Sequence, residues 1–183
     1  MSFAREQEKE IATIRPRKIT VELSEADCER ISKLCGEHSL TVGELLKNFI
    51  GDLVDGTYSN GSDERMYARE WFDRCWFGAF PEKTLLNYLL TNWETSAEDF
   101  VELLDNLNTA YADYEEYKKK PTDFDEEEVE YIKEDIEDSE KELLSIKEGF
   151  LKYCKDESPV PDWEQEVEKV KAWAEEMERM KAE

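Results

Sequence analysis

The chain has one histidine, His38, and four cysteines with no Cys-x-x-Cys pair, so it lacks the ligand spacing that binds zinc. His38 falls where a first helix ends, with no nucleophile motif around it, and reads as a capping or solvated side chain rather than a triad member. Cys28, Cys35, Cys75 and Cys154 are expected as reduced, mostly buried thiols. Glycine is sparse too, at seven of 183 residues. Neither Gly-x-Gly-x-x-Gly nor Gly-x-x-x-x-Gly-Lys-Ser/Thr occurs, which removes the phosphate-cradling loops of nucleotide chemistry. The acidic run Asp123–Glu128 lacks the glycine turn and the distal bidentate glutamate of a calcium loop. No apolar stretch approaches the ~18 residues of a membrane helix. The start, Met1-Ser-Phe-Ala-Arg-Glu-Gln-Glu-Lys9, has no apolar core of a signal peptide. The sequence therefore predicts a cytoplasmic protein with no metal, no cofactor and no membrane contact. Catalysis is not expected either, because nearly every helical turn offers a carboxylate and no pair stands out for acid/base work.

Positive charge is the other shortage: 24 Lys and Arg face 47 Asp and Glu, a net charge of −23. The acid is unevenly placed. Met1–Gly61 holds 8 basic against 11 acidic residues, whereas Ser62–Glu183 holds 16 against 36. Phosphate backbones are repelled by the second part, so DNA contact is confined to the first, where Arg15, Arg17 and Lys18 cluster. The acidic part should attract basic proteins. A hydrophobic content of 39%, with five Trp, eight Tyr and eight Phe, argues for a folded chain despite the charge. Composition shifts divide it into a charged arm at 1–16, a segment at 17–56 and an acidic helical domain at 62–183, with the turn-forming run 55–62 between the last two.

Arg17-Lys-Ile-Thr-Val-Glu-Leu23 alternates strictly, with Ile19, Val21 and Leu23 on one face and Lys18, Thr20 and Glu22 on the other, as a half-buried strand does. Ser24 with Asp27, and Thr41 with Glu44, then open two helices by capping-box-like starts. A strand with no second strand in the chain predicts pairing with another copy, and hence a homodimer held by residues 17–54. The alternating Lys18–Leu23, the apolar Ala26, Ile31 and Leu34, and the start Thr41-Val-Gly-Glu-Leu-Leu46 resemble the ribbon-helix-helix family. That resemblance implies a two-stranded ribbon in the DNA major groove, Lys18, Thr20 and Glu22 facing bases, and Thr41 and Val42 meeting the phosphate backbone. Acidic Glu22 departs from the family's usual basic or amide readers.

Beyond Gly61 the fold is expected to be helical throughout. Ser62 opens a helix carrying Tyr67, Trp71, Phe72, Cys75, Trp76, Phe77 and Phe80. So many apolar sides suit a packing hub, or make Trp71 and Trp76 interface anchors for a partner. A short helix from Pro81 through Leu85–Leu90 ends near Trp93. Ser96 with Asp99 then opens a long helix bearing Phe100, Leu103, Leu107, Ala110, Tyr114 and Tyr117, stopped at Lys118-Lys-Lys-Pro121. The next seam, Val129, Ile132, Ile136, Leu143, Ile146, Phe150 and Tyr153, makes an antiparallel coiled-coil-like hairpin with it. A last helix repeats the spacing at Trp163, Val167, Val170, Ala174 and Met177, giving a three-helix arm. The predicted fold is thus mainly α, with an N-terminal strand-helix-helix dimer and a long helical hairpin.

Off that seam, Glu126, Glu127, Glu130, Glu134 and Asp138 form a negative rail. Carboxylates along a rigid rod can imitate DNA phosphates in a basic channel. Together with the Arg17–Ser24 ribbon and the aromatic block Arg69–Phe77, the acidic helical chain resembles anti-CRISPR inhibitors of type II RNA-guided nucleases. That resemblance implies an effector nuclease as partner, blocked in DNA binding or cleavage. The alternative implied by the ribbon is a DNA-binding transcriptional regulator or mobile-element accessory protein, with Arg15, Arg17, Lys18, Thr20 and Thr41 at the DNA.

Overall fold

A computed structural model describes residues 3–92 and 95–182, and the described chain forms two compact units. The first comprises the chain to Pro81 together with residues 180–183, and the second comprises Glu82–Arg179.

In the first unit the lead-in forms α1 (Phe3–Ala12), and α2 (Glu25–Glu37), α3 (Val42–Leu53), α4 (Ser62–Arg74) and α5 (Trp76–Ala79) follow. The expected strand is not there. Residues 14–24 carry no regular structure, and no strand occurs among the described residues. Alternation fixes which side chains share a face, but a strand also needs a neighbour for its N–H and C=O groups, and the described chain offers no second extended segment. Ile19, Val21 and Leu23 consequently stand 55%, 58% and 54% exposed. The fold is all-helical, and the predicted ribbon is overturned.

The two capped starts do appear. Ser24 Oγ accepts from the Asp27 N–H at 3.1 Å, and Thr41 and Glu44 form a reciprocal capping box. α3 closes with Asp55 in the left-handed region at φ 55° and the Gly56 N–H on the Gly51 carbonyl at 2.8 Å. The turn then folds back so closely that a Cβ on Gly51 would overlap the Tyr58 carbonyl. Asp52 anchors the same turn, accepting from the Asn60 N–H at 2.7 Å and from Asn60 Nδ2 at 2.8 Å. The run 55–62 is therefore a tight connection between two packed helices within the first unit.

The single helix expected from Ser62 to Phe80 is broken at Cys75, whose ψ of 149° is extended. Cys75 ends one helix through its N–H to Trp71 and Phe72 and starts the next through its carbonyl, which accepts from Gly78 and Ala79. A Cβ at Gly78 would overlap the Phe72 carbonyl, so the sharp return depends on glycine there. Gly61, rather than Ser62, stands at the N-cap of α4.

In the second unit Thr84 caps the short α6 (Leu85–Thr91); its expected end at Trp93 lies outside the described residues. α7 (Ala97–Lys119) starts at the Ser96–Asp99 capping box, and a 3-10 turn at Pro121–Asp123 leads to α8 (Glu126–Tyr153), capped by Asp125 with Glu128. Phe100 packs in one cluster with Phe150, Tyr111 hydrogen-bonds Glu140, and Tyr117 meets Phe124 edge-on, so the two long helices run antiparallel. The seam buries Leu107, Ala110, Val129, Ser139 and Ile146. α9 (Trp163–Ala182) has its buried residues, Glu166, Val167 and Val170, in its first half. There Val167 and Val170 join Leu85, Leu89, Phe100, Phe150 and Cys154 at the base of the hairpin. The core of this unit thus sits where α6, α9 and the base of the hairpin meet, instead of running along a three-helix arm.

Candidate functional site

Two surfaces gather the residues singled out in the sequence. The first is the outer face of α8. Packing of Val129, Ile132, Ile136 and Ser139 toward α7 turns the intervening positions outward, and Glu126, Glu127, Glu130, Glu134 and Asp138 are all exposed. Asp125 and the first-turn acids complement the positive end of the helix dipole, so sequence chemistry fixes the acid at this end of the rod. From Glu126 to Glu142 the helix carries ten acids against Lys133 and Lys141. That is about one net negative charge per 3 Å of helix, close to the one per ~3.4 Å of a single DNA strand. At the tip, Phe124 separates two shallow grooves. One, of about 470 Å³, is lined by Asp113, Glu127, Glu128 and Tyr131, and the other, of about 450 Å³, by Tyr117, Glu126, Glu130 and Lys133.

The second surface belongs to the first unit. Phe49 of α3 meets Trp71 of α4 edge-on at 5.3 Å, Trp71 meets Phe77 at 6.2 Å, and Phe77 meets Phe72 at 5.2 Å. Beside this chain Trp76 lies against Phe80 at 4.6 Å. The aromatic block is not the buried hub the sequence suggests. Trp71 is half exposed, Trp76 is 77% exposed and Phe80 62% exposed. The break at Cys75 is the reason, since it turns α5 away from the line of α4 and leaves its side chains without neighbours on the outer side. No local signal in the sequence marks that break; only Gly78 hints at a close return.

The residues implied at DNA are exposed but do not share a strand face. Arg15, Arg17, Lys18 and Thr20 lie on the irregular segment before α2. Arg15 and Arg17 both donate to the main-chain carbonyl of Lys181, in the 180–183 segment grouped with this unit, Arg17 at 2.6 Å. Thr41 caps α3, where Glu44 Oε2 accepts from the Thr41 N–H at 2.7 Å. Those hydrogen bonds from Thr41 hold the Glu44 carboxyl below its ordinary value. A phosphate at this helix end would have to displace the Glu44 carboxylate from that donor.

Among the described residues, no group of three or more His, Cys, Asp and Glu is placed to hold a metal ion, and no helix is long and apolar enough to cross a membrane. Cys154 is fully buried, donates to the Lys83 carbonyl at 3.6 Å, and has its thiol pushed up by burial, the opposite of an activated nucleophile. Sequence reasoning missed Glu166, an acid buried at the base of the hairpin. It accepts from the Leu85 N–H at 2.9 Å and pairs with Lys169. Its position three residues after the apolar seam begins at Trp163 carries no signal that separates it from the surface acids.

No protein-family model, no curated protein and no solved structure matches this chain.

Proposed function

We propose that the protein is a non-enzymatic inhibitor that presents the acidic face of α8 to a basic nucleic-acid channel. The partner class is an RNA-guided nuclease of type II, the class implied by the resemblance of the chain to anti-CRISPR inhibitors. The observation that carries this reading is the charge spacing on α8, which approaches that of one DNA strand on a helix supported along its length by the seam with α7. Such a rod loses little conformational entropy on entering a channel, unlike a flexible acidic tail. We further propose a homodimer joined through residues 17–54, on the exposed apolar side chains of α3 and the segment before α2. Two copies would present two acidic rods.

The test is collective neutralisation. Single Glu→Gln changes should be nearly silent, because each exposed charge contributes little alone. Glu126→Gln, Glu127→Gln, Glu130→Gln, Glu134→Gln and Asp138→Asn together should weaken binding to the effector at least tenfold and flatten its dependence on salt. The helical signal should stay unchanged, since all five side chains lie off the seam. Inhibition equal to that of the unaltered protein would reject the DNA-mimic mechanism.

A further inference from the structure

The first unit does not enclose a core of its own. Its described buried apolar side chains are Cys35 and Ala68, whereas Leu46, Phe49, Ile50, Val54, Trp71, Trp76, Phe77 and Phe80 are all exposed. Apolar patches this extensive on a folded chain mark contact surfaces. We infer that the aromatic face of α4 and α5 is covered by a second copy of this chain, as an extension of the contact through residues 17–54. The inference rests on that dimer reading and adds a part of the chain outside 17–54.

Continuity is the first argument. Phe49 touches Trp71 and Trp71 touches Phe77, so the apolar surface of α3 runs without interruption onto α4 and α5. Charge is the second, and it selects the occupant. Ser62–Arg74 holds three Arg against four Asp and Glu, close to neutral, while Glu82–Arg179 holds 12 basic against 31 acidic residues. A basic partner is drawn to the second unit and DNA is repelled by it, whereas two copies meeting on the near-neutral face bring little like charge together. Trp76 and Phe80, tilted against each other at 4.6 Å, are aromatic anchors for a two-fold contact in which each copy presents the same patch.

Light scattering and sedimentation of the full chain over a range of concentrations test this. The unaltered protein should be a dimer. The double change Trp76→Ala and Phe80→Ala removes side chains that make few contacts within the chain, and should raise the dimer dissociation constant about 30-fold or more. Amide exchange guards against a folding defect in that variant: in the unaltered protein, the amides of Gly78 and Ala79 should exchange more slowly when concentrated than when dilute. A dimer with an unchanged dissociation constant, or with protection confined to α3, overturns the aromatic contact and leaves residues 17–54 as the interface. A monomer at all concentrations overturns both.

Discussion

Asp52 shows how a single side chain sets a connection. It is nearly buried, and its two oxygens are occupied by the Asn60 main-chain and side-chain donors. Those hydrogen bonds, from the Asn60 side chain first, lower its pKa below the usual carboxylate value. The folded-state pKa is therefore below the unfolded one, so the contribution of Asp52 to stability is present above about pH 4 and is lost as pH falls through the lower folded value. Denaturant melts at pH 7 and at about pH 3 should differ less for Asp52→Asn than for the unaltered protein. Equal differences would mean that the Asn60 contacts do not distinguish the charged form. In the sequence Asp52 looks like one more acid on an amphipathic helix. Only the return of the chain after Gly56 brings Asn60 to it.

Among the elements, α6 is too short to be stable alone, and a carboxylate from α9 holds its first turn. Glu166 accepts from the Leu85 N–H at a site where Leu85 is fully buried and water cannot substitute. Replacing Glu166 with Ala should strand that donor and cost about 1–3 kcal/mol, read as a lower urea midpoint at unchanged slope. Glu166→Gln keeps an acceptor oxygen in place and should recover most of the loss. If Ala and Gln behave alike, the contact with Leu85 is not what matters. The starts read in the sequence at Ser24, Thr41 and Ser96 each accept from the amide three residues on and stand at the helix starts observed, whereas the short helix expected from Pro81 begins after Thr84, which accepts from the Asn87 amide. Where the sequence misled, at the ribbon and at Cys75, the missing information was a long-range neighbour.

For the molecule as a whole, charge opposes compactness. The second unit carries 31 acids against 12 basic residues, and most of its ion pairs, such as Lys118–Glu115 and Lys171–Glu168, are exposed and contribute little. Raising salt from about 0.01 M to about 1 M shortens the screening length from roughly 30 Å to roughly 3 Å. Screening of like charges should then raise the thermal midpoint by about 5 °C or more. A midpoint that stays level or falls with salt would show that attractive pairs outweigh the repulsion.

The sequence by itself determined the long helices α7, α8 and α9, the two seams that join α7 to α8, and the outward direction of Glu126, Glu127, Glu130, Glu134 and Asp138. Each of these follows from local periodicity and capping, which a stretch of chain carries within itself. Tertiary structure alone decided that Ile19, Val21 and Leu23 form no strand, that Trp71 and Trp76 face outward, and that Glu166 is buried beside Leu85. Each of those depends on what stands next to the residue in space, and a strand, a hub or a buried charge exists only when that neighbour is present.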